Sequence, residues 1–133
     1  MLLNENIGNN DIETETKLNL KIMSHEKFKS CIDACLACAI ECNHCENACL
    51  NEQDVKMLAR CIKLDSDCAS ICLLAAQAMA NGSEFIQQIC KLCAEICEAC
   101  AAECSKHSHM DHCKQCADAC KKCAEECRSM SNI

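Results

Sequence analysis

The chain has 133 residues, 19 of them cysteine, and a formal net charge of −7 from 20 acidic and 13 basic residues. It contains no proline, tryptophan or tyrosine and only two glycines. Because turns in sheet proteins depend heavily on glycine and proline, this composition disfavours all-β and α/β folds. The basic residues form no run that could follow a phosphate backbone, which argues against nucleic acid as a partner.

The chain begins with a polar and acidic segment, residues 1–24, which we expect to form an N-terminal extension that is mobile or contains a short helix. It lacks the basic and then apolar pattern of a signal peptide. No stretch of the chain approaches the 18 uncharged apolar residues typical of a membrane span, so no membrane association is expected. We therefore expect a cytoplasmic protein. In that reducing compartment disulfides are rare, and abundant cysteine indicates metal binding.

Strong helix-forming residues dominate the chain after residue 25 and predict four helices. The expected helices cover about residues 25–50, 54–80, 83–106 and 111–130. Asn81 and Gly82 form a stop signal for the second helix, because glycine readily adopts the left-handed conformation that ends many helices. The connections are short, so successive helices should be antiparallel. Residues 25–133 are thus predicted to form an all-α, antiparallel four-helix bundle.

Cysteines recur in the predicted first, third and fourth helices at alternating steps of three and four residues. A mean step of 3.5 residues is typical of side chains that face the axis of a helical bundle. The second helix has three cysteines on the same kind of seam, and Asp65 takes the place between Cys61 and Cys68. This pattern predicts a cysteine-lined core. The predicted metal ligands are Cys31, Cys35, Cys38, Cys42, Cys45, Cys49, Cys61, Cys68, Cys72, Cys90, Cys93, Cys97, Cys100, Cys104, Cys113, Cys116, Cys120, Cys123 and Cys127.

Two metal-free explanations of the cysteine seam are disfavoured. Cysteine can act as a small buried hydrophobe, but a seam built only for packing would mix leucine, isoleucine, valine and alanine. Disulfides are disfavoured because thiols three or four residues apart on one helix are poorly positioned for a bridge. The seam therefore indicates metal–thiolate chemistry.

The identity of the metal follows from charge. Many zinc tetrathiolate sites would bury a large negative charge, and ferredoxin-type iron–sulfur clusters use a different cysteine spacing followed by proline. Monovalent Cu(I) is soft, and about one bridging thiolate per ion would leave the core near neutral. The residues favour Cu(I), with a load on the order of one ion per cysteine. A zinc-binding or iron–sulfur protein is the alternative.

Four segments of the chain resemble the cytosolic branch of the bacterial copper storage proteins. They are Cys61–Asp65, Cys90–Cys100, the His107–His109 loop and Cys123–Met130. The likeness covers about residues 28–130. The resemblance implies a cytosolic four-helix bundle that stores many Cu(I) ions inside its core and assembles as a homotetramer. Copper ions, delivered by a copper chaperone, are the expected partners.

Three histidines lie in or beside the connection between the third and fourth predicted helices. Imidazole can bind Cu(I) and pass it to stronger thiolates, so His107, His109 and His112 are candidates for the point where the metal enters. A solvated polar loop explains them about equally well, and the resemblance, which implies histidines at the open end, favours metal uptake. Asp65 is a candidate accessory ligand because it lies on the seam, although a carboxylate turned to the bundle surface is slightly favoured.

The sequence carries no sign of an enzyme. No nucleophile, base and orienting group stand out from the uniform seam, and a core filled with thiols leaves no substrate pocket. We therefore expect storage without catalysis. The outward apolar residues that are candidates for tetramer contacts are Leu36, Ile40, Ile71 and Leu74.

Overall fold

The computed structural model describes residues 9–132, and it describes side chains from residue 26 onwards. This part of the chain is all-α and contains four helices. They are α1 (Asn9–Leu50), α2 (Ala59–Asn81), α3 (Ile86–Ser105) and α4 (Asp111–Ser131), with a 3-10 turn at Val55–Leu58 before α2. The predicted fold class is confirmed.

The four helices form a closed, antiparallel bundle. Helix α1 packs on α2 and α4, and α3 packs on the same two helices, so the four helices enclose one central axis. Contacts between sulfur atoms give the direction: Cys31 lies 3.7 Å from Cys127 and Cys45 lies 3.9 Å from Cys113, which makes α1 and α4 antiparallel. Each short connection reverses the chain, as the sequence predicts.

Helix α1 has 42 residues and begins at Asn9, upstream of the start predicted near residue 25. No glycine or proline lies between Gly8 and the first cysteine, so no residue there has a strong tendency to interrupt a helix. At about 1.5 Å per residue, α1 is roughly twice as long as α3. The division of the chain at residue 24 remains a prediction, and residues 1–8 lie outside the described residues.

The α2–α3 connection starts at Gly82, as the sequence predicts. Gly82 is left-handed, with φ of 68°, and its N–H donates to the carbonyl of Ala78. The N–H of Ser83 donates to the same carbonyl at 2.9 Å. Helix α3 then begins at Ile86, three residues later than predicted, because the Ser83 hydroxyl accepts from the N–H of Phe85 within the connection.

The core consists of the cysteine seam flanked by small residues. Alanines on each helix, such as Ala39, Ala94 and Ala117, are buried beside the thiols and let the backbones approach closely. One outward prediction is wrong: Ile71 is buried, with 8% of its surface exposed, because it packs beside Cys72 at the helix interface. Among the described residues, no helix combines the length and hydropathy needed to cross a membrane.

Candidate metal centre

All 19 predicted cysteine ligands lie in the core of the bundle. Every one of these side chains has 0% of its surface exposed, and all are free thiols. Neighbouring sulfur atoms lie between 3.3 Å, for Cys61 and Cys104, and 4.0 Å, for Cys68 and Cys72. The thiols therefore form one continuous column along the bundle axis, which we call the thiol column.

The sulfur atoms of the thiol column gather into overlapping groups of four. Within each group, the candidate ligand atoms all lie within 4.8 Å of one another. Neighbouring sites share ligands, since at least two groups contain each of Cys38, Cys42, Cys120 and Cys123. Four of the all-cysteine groups are Cys35–Cys93–Cys123–Cys127, Cys38–Cys72–Cys97–Cys123, Cys38–Cys42–Cys68–Cys120 and Cys42–Cys100–Cys116–Cys120.

Such spacing suits bridging metal–thiolate chemistry. A thiolate bonds a soft metal ion at about 2.3 Å, the distance found for zinc. Two sulfur atoms less than 4 Å apart can therefore both contact one ion without separation of the helices. Sharing of one sulfur between neighbouring ions keeps the number of thiolates, and hence the buried negative charge, close to the number of monovalent cations.

Asp65 lies inside the thiol column, so the surface orientation favoured slightly from the sequence is wrong. Its side chain is fully buried, and its Oδ1 accepts from Cys116 at 3.2 Å, Cys100 at 3.3 Å and Cys104 at 3.6 Å. Its Oδ2 accepts from Cys61 at 3.9 Å. The S–H donors satisfy the oxygens of the carboxyl group, which allows a polar group in the core.

Burial in the column opposes negative charge, and hydrogen bonds between thiols act in the opposite direction. Burial raises the pKa of Asp65 to about 11, and the neighbouring thiols Cys116 and Cys100 add to this shift. Burial also raises the pKa of Cys113 to about 11, with a further contribution from the charge of Cys61. The hydrogen bond from Cys104 instead lowers the pKa of Cys61. Burial thus disfavours the charged forms of Asp65 and Cys113, whereas a hydrogen bond between thiols favours the charged form of Cys61.

Only one of the three candidate histidines contacts the thiol column. His112, the second residue of α4, points its Nδ1 at the sulfur atoms of Cys113, Cys45 and Cys49, at 3.5, 3.7 and 3.8 Å. These four ligand atoms form a mixed group at the end of the column. We call this group the mouth.

The other two histidines lie at the same end of the bundle but away from the sulfur atoms. His107 is buried, and its Nε2 lies 3.2 Å from Oε2 of Glu103. His109 is exposed in the α3–α4 connection. The contacts of the described side chains include none between either imidazole and a thiol.

Two glutamates at this end were missed by the sequence reasoning. Glu103 is buried and bonds Arg60 at 3.0 Å, Lys106 at 3.2 Å and His107. Burial raises its pKa, but these hydrogen bonds outweigh that effect and hold the pKa below its usual value. Glu52 bonds Nε2 of His112 at 3.0 Å. The sequence spacing could have indicated both glutamates. Glu103 lies four residues before His107, and Glu52 lies three residues after Cys49, where it continues the seam.

Comparison with known proteins agrees with this geometry. A family model described as copper storage protein matches residues 24–132. A relative from Bacillus subtilis strain 168, the uncharacterized cysteine-rich protein YhjQ, is 54% identical over 84 residues, which make up 63% of this chain and 77% of the relative.

Solved structures show the same bundle. The Cu(I)-bound copper storage protein BsCsp3 is 53% identical, has a TM-score of 0.75, and matches 78% of this chain and 97% of that protein. A cytosolic copper storage protein from Streptomyces lividans, carrying five coppers, is 34% identical, with a TM-score of 0.79 over 84% of this chain and 97% of that protein. By sequence, fold and the cysteine-lined core, this chain belongs to the copper storage protein family.

Proposed function

We propose that this chain stores Cu(I) in the cytosol as many ions bound along the thiol column. The observation that carries the proposal is the overlap of the four-sulfur groups, which offers adjoining sites in place of one isolated centre. The proposed ligands are all 19 cysteines, with Asp65 as an accessory ligand between Cys61, Cys100 and Cys116. The cytosolic relative from Streptomyces lividans supports the location.

We infer that ions enter at the mouth and move inward by exchange between thiolates. His112 supports this route, since its imidazole combines partial exposure with contact to three thiols. The opposite end of the column carries apolar side chains, among them Phe28 and Met79, which are buried there. The sequence-based prediction included His107 and His109, and both remain candidates for an earlier capture step because they lie at the same end.

Storage without catalysis is the role that the geometry supports. The thiols are fully buried, and they lie against one another with no substrate-sized space between them. The nucleophilic groups of an enzyme need access to substrate. A thiol column of this kind suits retention of ions.

We further propose a homotetramer that receives copper from a copper chaperone. Exposed apolar side chains on α1 and α2, namely Leu36, Ile40, Leu73 and Leu74, support contacts between copies. Ile40 is the most exposed of these, at 69%. Light scattering of the reduced protein tests the assembly: four copies are expected for the wild type, and a smaller particle for Ile40→Glu. A monomeric wild type would contradict it.

The storage proposal is tested by anaerobic titration of the reduced protein with Cu(I), followed by gel filtration and metal analysis. We expect more than ten ions to be retained per chain, on the order of one per cysteine. A parallel titration with zinc should saturate at fewer ions. Retention of four or fewer Cu(I) ions, or stronger retention of zinc, would overturn the proposal.

Entry of ions through the mouth is tested with two matched histidine variants. His112→Ala should slow the growth of the thiolate-to-Cu(I) absorption band, because it removes the imidazole that contacts the outermost thiols. His44→Ala removes an exposed imidazole of α1 that has no thiol contact in the described part of the chain, and it should load at the wild-type rate. Equal loading by both variants would contradict this role of His112.

A further inference from the structure

Glu52 lies beside the mouth without touching any sulfur atom in the described contacts. Its Oε2 accepts a hydrogen bond from Nε2 of His112 at 3.0 Å. The imidazole is largely buried, with 13% of the side chain exposed, whereas the carboxylate is 40% exposed. The carboxylate thus approaches the ring from the solvent side, and the thiols approach it from the core side.

The bonding capacity of the two partners fixes the proton on the ring. A carboxylate can only accept, so the nitrogen that faces Glu52 must carry the hydrogen. In a neutral imidazole the other nitrogen, Nδ1, then has a free lone pair. In His112 this is the nitrogen that faces Cys45, Cys49 and Cys113.

The turn after α1 holds Glu52 in this position. The N–H of Asn51 donates to the carbonyl of Ala48 at 3.1 Å, and the N–H of Glu52 donates to the carbonyl of Cys49 at 3.2 Å. Glu52 therefore stays on the face of α1 that carries Cys49. One turn of backbone supplies both a thiol and a carboxylate to the same imidazole.

The pair formed by His107 and Glu103 provides an internal contrast. It has the same carboxylate–imidazole bond, at 3.2 Å, but no thiol contact is found at the other ring nitrogen. That bond ties the end of α3 together. The Glu52–His112 bond connects the turn after α1 with the start of α4 and directs the free nitrogen at the column.

We propose that Glu52 is a positioning residue for Cu(I) uptake: it holds His112 in the Nε2–H form, with Nδ1 directed at the thiols of the mouth. The inference rests on the proposed storage function. Carboxylates that bond metal-binding histidines typically contribute 10- to 100-fold to metal affinity, because they fix the ring and raise its basicity. Loss of Glu52 should lower the Cu(I) affinity of the mouth by about 10- to 100-fold and leave the number of thiol sites unchanged.

The first measurement is the tautomer of His112 in the full-length, reduced protein without metal, from long-range ¹H–¹⁵N correlation spectra. The wild type should show the Nε2–H form. Glu52→Ala should lose this preference, and Glu52→Gln should keep it because the amide oxygen also accepts. Asp54→Asn is the matched control, since it removes an exposed acid from the same turn. An Nε2–H form that persists in Glu52→Ala would overturn the inference.

The second measurement is Cu(I) uptake by the same variants in competition with a chelator. In Glu52→Ala the mouth should bind Cu(I) with about 10- to 100-fold lower affinity. The total copper capacity and the helical spectrum of this variant should match those of the wild type. Wild-type uptake by Glu52→Ala, together with impaired uptake by His112→Ala, would overturn the inference but leave storage intact. Failure of the wild type itself to retain copper would instead overturn the storage function, and the copper role of Glu52 with it.

Discussion

Replacement of Asp65 by asparagine should make the metal-free protein more stable, and the gain should grow as the pH rises. Asp65 is fully buried among thiols, and burial raises its pKa from 3.8 to about 11. In the unfolded chain the carboxyl loses its proton near pH 4. The folded protein therefore binds one more proton than the unfolded chain between about pH 4 and pH 11.

The sign and size of the pH-dependent change in stability follow from this extra proton. Because the folded-state pKa is the higher one, the free energy of unfolding is largest below the unfolded pKa and falls as the pH rises toward the folded pKa. One proton corresponds to about 1.4 kcal/mol per pH unit. Between pH 5 and pH 8, the wild type should lose about 4 kcal/mol relative to Asp65→Asn. The asparagine carries no such proton and has nearly the same shape.

The assay is urea unfolding of the reduced, metal-free protein under nitrogen, followed by circular dichroism at several pH values. The thiols titrate in both proteins, so their contributions largely cancel in the difference. Asp67→Asn serves as the control, because Asp67 is an exposed acid on the same helix. A stability difference between wild type and Asp65→Asn that stays constant from pH 5 to pH 8 would refute the reasoning.

Three further predictions concern other parts of the bundle. Gly82→Ala should destabilise the protein by about 1 kcal/mol, because alanine disfavours the left-handed backbone that Gly82 adopts. The added Cβ meets no atom within 4 Å, so no steric clash adds to this cost. An unchanged midpoint of thermal unfolding would contradict the prediction. Cys68→Ser should retain about one Cu(I) ion fewer by metal analysis while keeping its helical spectrum, since Cys68 contacts thiols on all three other helices; a loss of most of the copper would contradict it. Acid should release copper to a chelator, because thiols such as Cys113, with a pKa raised to about 11, regain their protons. The Cu(I) affinity of each site that releases one proton on binding should fall about tenfold for each pH unit of acidification. A copper load that does not change with pH would contradict this.

The position of each thiol could be predicted because a heptad seam and an α-helix share nearly the same period. Once four helices are expected, side chains at alternating steps of three and four residues must face the axis of the bundle. The same argument applies to Asp65, which also lies on the seam. The expected cost of burying a carboxylate favoured the surface. The sequence alone does not reveal that four thiols from α2, α3 and α4 surround this carboxyl group and donate to it.

The histidines were harder to assign because their roles depend on partners distant in sequence. His112 meets Glu52 across 60 residues and meets Cys45 across 67. A local pattern cannot predict which ring nitrogen faces which group. For His107 a local signal existed, since Glu103 lies four residues earlier and can bond it on one helical face. That pairing accounts for the distance of His107 from the column.

The two ends of the thiol column carry different side chains. Phe28 and Met79 are buried at one end, whereas the other end carries the imidazole of His112 and the partly exposed carboxylate of Glu52. A site in which imidazole replaces one thiolate carries less negative charge and attracts Cu(I) less strongly than an all-thiolate group. On the proposed entry route, ions would therefore gain affinity as they pass from the mouth to the inner sulfur groups.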